Sequence, residues 1–559
     1  MTTATTPPPP LQVQSSIARD NSDRPKTASA PVRTPVSRRH HRPPTIDPLS
    51  DRATEALIRK VFLPHEPGDH KGRDTPARID ELLPPLTSRN DVDLQLYAFL
   101  AIVLREFVQA WYSKITPDET FVAEIVHVIA HCTRALEQRI RAVDLENLLL
   151  NEIPEVLNKH IDIYRSTHRD HLAQTVQVNG REAYHALWPL PFLSPAPIPG
   201  DPLSTAKQLN KEAAYRQLLV QAVLTVLLPT EDLQNPCLTA LVSQIFSELI
   251  IGNVITNKAS QPWLLYEAIC IVGRNATEKK GGHKRTKSAR GSKWHVKDQG
   301  KWSVHGLFIS IIQLVMLFMS TIRCVFNLVK LSLSVPARTA ASSDRTRSPA
   351  PAAKGGPAKD DVAEIRKIPV LSFNAWRLIG NAIELPIRMP WLNGLLSLMH
   401  RGVIHGPGRI AKLDGVLDRL LSHQIQLCLS ASQLPSILRT LRGSLFPHNA
   451  PGTSSMFPPS SDAELRALRR RAATALWTMI PPSVGRMYFG GGLWAAMGMA
   501  ADVGHDEAMV DELEGLLEVV GDRYCNKHLM YSIVELILVR LMPELQERGV
   551  EDLLQERLG

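Results

Sequence analysis

The chain has 559 residues, more than one ordinary domain needs, so two folded units joined by linkers are expected. Apolar residues make up 44% and charged residues 21%, a composition that excludes a chain disordered throughout. The formal net charge of +9 is unevenly placed, because residues 279–301 contain nine Lys or Arg and one acid. Such a basic polar segment can meet nucleic acid or an anionic membrane surface.

The six cysteines lie far apart and form no Cys-x-x-Cys pair, so free thiols in a reducing compartment are expected. The N-terminus carries four prolines at residues 7–10 and no apolar stretch. We therefore expect no secretory signal peptide and a protein that is not secreted. Residues 1–90 are expected to be a mostly disordered tail, since the first part is rich in Pro, Ser, Thr and Arg and almost devoid of large apolar side chains.

Regular structure is predicted to begin near Asp91, where apolar residues start to recur at helical spacing. Such patterns cover residues 92–112, 211–228 and 238–255, and another helix is expected to start after Pro117. Strand-like alternation is scarce along the chain. The sequence therefore predicts an all-α fold.

Two helical regions, residues 91–273 and 368–559, are expected to pack into one body, because each carries apolar faces wider than it can cover alone. Between them we place a basic linker at 274–302, an apolar membrane-associating helix at 303–335 and a flexible linker at 336–367. Both linkers are expected to be disordered, since they are polar and rich in small or charged residues.

The segment between the linkers is the most unusual of the chain, because the seventeen residues 306–322 carry no charge. That length is at the lower limit for crossing a bilayer core of about 30 Å. The polar residues of the segment recur at steps of three, four or seven, so they form one narrow stripe along a helix. A transmembrane helix, a helix lying in the membrane interface and an ordinary core helix all remain open. The interface is favoured, because the stripe would meet headgroups and the basic flanks would meet anionic lipid.

The membrane-contact candidates are apolar residues of this segment and basic residues of the preceding linker. They are Leu307, Phe308, Ile311, Ile312, Leu314, Val315 and Phe318, together with Lys284, Arg285, Lys287 and Arg290. Their expected partner is the lipid of an anionic membrane leaflet, phosphoinositides included. Trp294 and Trp302 could stack on nucleic acid bases, but the basic linker directly precedes an apolar helix, and that context disfavours nucleic acid.

No motif indicates catalysis, a cofactor or a metal. His127 and His131 stand four residues apart on one helix, a spacing that can hold zinc, but no third ligand is evident nearby. Residues 490–492 are three glycines without the Lys-Ser/Thr of a phosphate loop. We therefore expect a protein that is not an enzyme and has no catalytic residue, cofactor or metal site.

Several short segments of the first helical region carry a recognisable pattern. They are Phe107–Ile115, Phe121–Ala130, Arg134–Arg139, Val143–Leu145, Ile161–Arg165, Tyr215–Leu219, Leu227–Pro229, Leu249–Gly252 and Gln261–Trp263. In this order, over residues 92–272, they resemble the PXA (PX-associated) domain of the larger sorting nexins and their fungal relatives. Residues 433–442 and 526–531 resemble, more loosely, the sorting-nexin C-terminal domain. No PX or RGS domain is recognised.

In that family the two domains are thought to pack into one helical body with a long apolar groove. The resemblance implies a non-catalytic protein that binds or transfers lipid, on the cytoplasmic side of the endoplasmic reticulum, lipid droplets or endosomes. One row of the final helix supplies the lipid-groove candidates Leu529, Ile533, Ile537 and Leu541. The alternative is an interaction scaffold in vesicle traffic, whose helical body docks trafficking proteins and holds no lipid.

Overall fold

A computed structural model of the protein describes most of the chain from residue 49 onwards. The described residues are 49–63, 78–109, 112, 114–116, 120–168, 179–198, 200–287, 367–406, 410–446, 449, 458–489 and 505–558, with scattered positions from 316 to 338. Every regular element in these ranges is a helix and no strand occurs among them, which confirms the all-α prediction.

The N-terminal half contains eight of the helices described here. They are α1 (Asp51–Phe62), α2 (Asn90–Val103), α3 (Thr120–Ala142), α4 (Ile153–His168), α5 (Gly180–Leu187), α6 (Pro202–Leu227), α7 (Pro236–Gln244) and α8 (Pro262–Lys287). Three π-helical segments adjoin them, Leu104–Gln109, Leu148–Glu152 and Ile245–Ala259. Shorter turns are Ile79–Leu82, Leu145–Asn147, Pro191–Leu193 and Thr230–Leu233.

The C-terminal half adds nine helices within the described ranges. They are α9 (Asn374–Ala382), α10 (Pro390–His405), α11 (Val416–Cys428), α12 (Leu434–Leu445), α13 (Asp462–Met479), α14 (Pro482–Phe489), α15 (His505–Leu516), α16 (Arg523–Leu541) and α17 (Val550–Leu558). Shorter turns are Val370–Ser372, Leu385–Arg388, Ala431–Gln433, Leu517–Val520 and Glu544–Glu547.

Capping side chains fix where several of the helices begin. Asp201 and Asn235 accept hydrogen bonds from backbone N–H groups of α6 and α7, and a proline follows each cap at the first helical position. Asp522 accepts from two backbone N–H groups of α16, and Ser461 caps α13. Each cap supplies an acceptor to a helix end that otherwise lacks one.

The two halves pack into one body, as the sequence predicted. α8 runs along α13, α4 packs against α9 and α16, and α2 packs against α12, so each contact joins one half to the other. α8 and α13 approach closely at Gly273, where an added Cβ atom would lie 3.0 Å from the Cβ atom of Ala475. Ala472 and Ala473 of α13 are fully buried. Small residues therefore let the backbones of these two helices come close together.

The buried apolar residues form several clusters, and α16 lies in the middle of the joint body. In one cluster, Tyr524 and Tyr531 of α16 pack with Val220 and Leu224 of α6. In another, Cys525 of α16 packs with residues of α4 and α5. α16, the last long helix of the chain, therefore contributes to the core of the N-terminal half as well as to that of the C-terminal half.

Regular structure begins earlier than the sequence analysis expected, at Asp51 and not near Asp91. α1 packs against α2, and its Ile58 is fully buried. The sequence analysis missed α1 because its apolar face is short and the tail that precedes it is polar. The rest of the predicted tail, residues 1–48 and 64–77, lies outside the described residues.

The first part of the predicted basic linker is helical. α8 continues to Lys287, whereas the sequence analysis placed the start of the linker at residue 274. The predicted boundary therefore falls inside α8, one residue after the close contact of Gly273 with α13. Residues 288–302 and most of the second linker lie outside the described residues.

Candidate lipid-contact surfaces

The four predicted lipid-groove residues lie on α16. Leu529 is buried, whereas Ile533, Ile537 and Leu541 are half-buried. α16 packs against α3, α4, α5 and the π-helical segment Ile245–Ala259. The row therefore passes from packed core at its first residue to partly open surface at its last.

A buried charge network holds the first half of α16 against α6. The carboxylate of Glu212, which is 1% exposed, accepts hydrogen bonds from Nζ of Lys527 at 2.8 Å and from the hydroxyl of Tyr531 at 3.1 Å. Gln208 also donates to it, at 2.7 Å, and Arg216 lies 3.4 Å away. Burial by itself would raise the pKa of Glu212, but the Lys527 ammonium and these hydrogen bonds lower it. Glu212 is therefore ionised at neutral pH.

Buried aromatic and histidine rings surround the same part of α16. His528 is fully buried, and its ring centroid lies 4.9 Å from Tyr524, 5.3 Å from Tyr184 and 5.4 Å from His185. Neither ring nitrogen of His528 has a hydrogen-bond partner among the described residues. Burial lowers its pKa to about 3. Burial also lowers the pKa of His160 to about 4, although its ring meets the Tyr184 hydroxyl at 2.8 Å. Both rings are neutral at pH 7 and act as packing groups.

A second buried charge site is centred on Arg338, which follows the apolar segment. Its guanidinium lies 2.9 Å from the carboxylate of Glu146 in the N-terminal half and 3.0 Å from that of Asp418 on α11. Asp418 also accepts a hydrogen bond from the backbone N–H of Val370 at 2.8 Å. Arg338 is therefore fixed at the boundary between the two halves.

The apolar segment 303–335 is described only at scattered positions, and those from 316 to 334 are helical. Its large apolar residues with 47–73% exposure are Met316, Met319, Phe326, Leu331 and Leu333. The seven apolar membrane-contact candidates between 307 and 318 lie outside the described residues, as does Arg290. Lys284, Arg285 and Lys287 belong to the end of α8, but their side chains are not described. Membrane contact by these residues stays a prediction.

One helix in the described part of the chain is long and apolar enough to cross a membrane. It is α7 with its π-helical continuation, Pro236–Ala259, with a mean hydropathy of 1.6, and 12% of its apolar window is buried. Its exposed large apolar residues are Leu241, Phe246, Ile250 and Val254. The sequence predicted a helix here but not this exposure, because apolar spacing defines the faces of a helix without identifying the covered one.

α10 also exposes apolar side chains that a core helix would bury. Its exposed large apolar residues are Trp391, Leu395, Leu396, Leu398 and Met399. Most of them recur at steps of three or four and share one side of the helix. The sequence analysis placed this helix in the second helical region without assigning it a function. The signal that could have singled it out is this apolar side on a helix that contains no Asp or Glu.

The described ranges contain no arrangement of side chains suited to metal binding or to redox chemistry. No group of three or more His, Cys, Asp or Glu side chains there is placed to hold a metal ion. His127 and His131 are both exposed. The described cysteines carry free thiols. What these ranges present instead is a joint helical body with open apolar surface on several helices.

Comparison with known families finds a match for the first half of this body. Residues 89–272 match the family model of the PXA domain. The chain carries a PXA domain. It is 23% identical to sorting nexin-13 of Homo sapiens over 234 residues, which cover 40% of this chain and 24% of that protein. It is 26% identical to PXA domain protein 1 of Schizosaccharomyces pombe over 199 residues, 35% of this chain and 34% of that protein.

A shorter similarity links the chain to sorting nexin-14 of Danio rerio, 33% identical over 72 residues, which are 13% of this chain and 8% of that protein. The chain thus spans about a quarter of sorting nexin-13 and about a third of PXA domain protein 1. No solved structure matches the chain significantly.

The PXA domain supplies one partner of two buried ion pairs described above, Glu212–Lys527 and Glu146–Arg338. Glu212 and Glu146 belong to it, whereas Lys527 and Arg338 do not. Its Arg139 also meets the carboxylate of Glu544 with two hydrogen bonds, of 3.0 and 2.9 Å. The helices that follow residue 367 therefore complete the core of the PXA domain.

Proposed function

We propose that this chain is a non-catalytic protein of endomembranes that binds lipid and transfers it between membranes. The joint body formed by the PXA domain and the C-terminal helices would hold an acyl chain along α16. The sorting-nexin relatives support a role in membrane traffic and association with endomembranes. The binding and transfer of lipid are the part that we propose beyond that role.

The half-buried row Ile533, Ile537 and Leu541 carries this proposal. The row continues from Leu529, which belongs to the packed core, into a region that the protein covers only in part. An apolar side chain covered in part gains from an apolar ligand, because each buried CH₂ group contributes about 0.8 kcal/mol. An acyl chain laid along α16 would complete the cover of these residues.

Attachment to the cytoplasmic side of the endoplasmic reticulum, lipid droplets or endosomes is part of the proposal. The exposed apolar residues of the segment 303–335 support it, and the basic residues before that segment suit an anionic leaflet. Deletion of residues 303–335 should move the protein from membrane to soluble fractions. Replacement of Lys284 and Arg285 by Gln should weaken attachment by about 1 kcal/mol per charge.

The deciding experiment is mass spectrometry of lipids that co-purify with the full chain, together with lipid transfer between liposomes. Ile537→Glu places a charge where the acyl chain would lie, at a cost of several kcal/mol to lipid binding. We expect this variant to stay folded by circular dichroism and to lose both lipid and transfer. Ile537→Leu is the matched control and should retain both.

Leu529→Glu marks the boundary of the groove, because this residue is buried in the protein core. This variant should unfold the protein and not only remove the bound lipid. If the wild type and every folded variant carry no lipid and move none, the interaction scaffold of vesicle traffic replaces lipid transfer as the proposed function.

A further inference from the structure

α10 is an amphipathic helix whose large apolar side chains are mostly exposed. Trp391, Leu395 and Leu398 lie on one side of the helix, and His400 lies on the opposite side. Nε2 of His400 is 2.9 Å from the backbone carbonyl oxygen of Leu371, although His400 itself is exposed. None of the residues of α10 is buried. α10 therefore leaves its apolar side open, whereas a surface helix of a soluble domain covers that side.

The apolar side of α10 is open to solvent over most of the length of the helix. Trp391 near its start is 64% exposed, and Leu398 in its second half is 69% exposed. The helix packs mainly on the short turn Leu385–Arg388, which leaves this side uncovered. At 1.5 Å per residue the helix is about 24 Å long. An apolar strip of this length on a protein surface marks an interaction site.

The charge around α10 indicates the chemistry of the partner. Residues 385–413 contain no Asp or Glu and four Lys or Arg. Arg388 is occupied, because its guanidinium lies 2.9 Å from the carboxylate of Glu512. Arg401 on α10 and Lys412 beyond it are exposed. The surface beside the apolar side is thus free of acidic residues and carries exposed cations, which complements a negatively charged partner.

We propose that the outward apolar side of α10 docks onto an anionic lipid bilayer, with the helix lying in the plane of the interface. An apolar side with Trp and Leu beside basic residues is the composition that binds such an interface. Trp391 would sit at the level of the headgroups, where Trp is enriched, and Arg401 and Lys412 would meet lipid phosphates. This inference rests on the proposed function and deepens it, because α10 would bring the lipid-handling body itself to the membrane.

The test is co-flotation of the full chain with liposomes of phosphatidylcholine and phosphatidylserine in a 7:3 ratio. The variant Leu395→Glu/Leu398→Glu places two charges on the outward side of α10. The matched control Leu203→Glu/Leu209→Glu makes the same change on α6, where these leucines are 70% and 46% exposed, close to the 69% and 47% of the α10 pair. We expect at least a tenfold weaker vesicle partition for the α10 variant and no change for the control.

A second variant keeps the apolar side and tests the charges. Arg401→Gln/Lys412→Gln should weaken partition to these vesicles several-fold and leave partition to pure phosphatidylcholine vesicles unchanged. Both substitutions are at exposed positions, and circular dichroism and light scattering check that fold and oligomeric state are kept. Failure of the wild type to float, or equal flotation of wild type and the α10 glutamate variant, would overturn the proposal.

Light scattering distinguishes docking onto a membrane from an interface between two copies of the chain. If the glutamate pair converts a wild-type dimer into a monomer while vesicle partition stays the same, α10 is an interface between two copies and the membrane proposal is wrong. Lipid content separates this proposal from the proposed function. A wild type that carries no lipid but docks through α10 defeats lipid transfer alone, whereas a lipid-loaded protein that floats equally well without the α10 leucines defeats docking alone.

Discussion

At the scale of single residues, Glu212 is the carboxylate on which Lys527, Tyr531 and Gln208 converge in the interior. Glu212→Gln keeps the size of the side chain but leaves the buried Lys527 ammonium without its counter-ion. Breaking a buried pair on one side costs about 3–5 kcal/mol, so the free energy of unfolding in urea should fall by about that amount. Glu212→Gln/Lys527→Met removes both charges and should be less destabilised. A double variant as unstable as the sum of the single variants would contradict this coupling.

His528 makes stability depend on pH. Burial lowers its pKa to about 3 and that of His160 to about 4, against about 6.5 for an unfolded chain. Below pH 6.5 the unfolded state binds protons that the folded state excludes. The stability contributed by each ring is therefore present above pH 6.5 and is lost as the pH falls toward 4, at about 1.4 kcal/mol per pH unit for each ring.

His528→Phe should remove one of these two contributions. We expect the slope of unfolding free energy against pH between 6.5 and 4 to fall by about 1.4 kcal/mol per pH unit. The phenyl ring also has no buried nitrogen in need of a partner, so stability at pH 7 should not decrease by more than a change of shape requires. His131→Phe, at an exposed position, is the control and should leave the slope unchanged.

These residue-level contacts could not be predicted from the sequence. Glu212 and Lys527 are 315 positions apart, and each stands on a helix among other charged residues, where a solvated ion is the ordinary expectation. Periodicity reports only the neighbours of a residue on its own helix. That Leu529 is buried and Ile533 only half-buried likewise depends on the helices packed against α16, which spacing does not specify.

At the scale of elements, two helical glycines offer a matched comparison. A Cβ atom at Gly273 of α8 would lie 3.0 Å from Cβ of Ala475, whereas one at Gly394 of α10 would meet nothing within 4 Å. Gly273→Gln should separate α8 from α13 and cost about 1–3 kcal/mol, because the contact is already close-packed. Gly394→Gln should stabilise by about 0.5–1 kcal/mol, since glutamine favours a helix over glycine. Thermal unfolding of both variants checks the opposite signs.

The existence of most long helices followed from the sequence, but their orientation did not. The apolar spacing on α16 and α6 predicted helices that the structure contains. α10 shows the limit of such arguments, since apolar spacing does not reveal that its large apolar side chains are exposed. α1 was missed because its surroundings are polar and its buried face, which includes Ile58 and Val61, is short.

At the scale of the whole molecule, the two halves complete one another. α16 contributes Tyr524 and Tyr531 to a cluster whose other members belong to the PXA domain. Residues 49–287 or 367–558 expressed alone would therefore expose core residues and should aggregate, whereas the two pieces co-expressed should co-purify. A protease site inserted at residues 339–350 should leave both pieces associated after cleavage. Two halves that behave separately as stable, monodisperse domains would show that no joint core is needed.

The burial of Arg338 also bears on the membrane topology of the apolar segment. α8 ends at Lys287 before the segment, and Arg338 is held between Glu146 and Asp418 after it, so both flanks belong to the same body. A chain that crosses a bilayer once leaves its flanks in different compartments, and one folded body cannot occupy both. The number of crossings must then be even, and two crossings need about 40 residues where residues 303–335 provide fewer. While the halves stay packed, we therefore expect the segment not to cross the bilayer, and any lipid it meets to belong to the leaflet that faces the body.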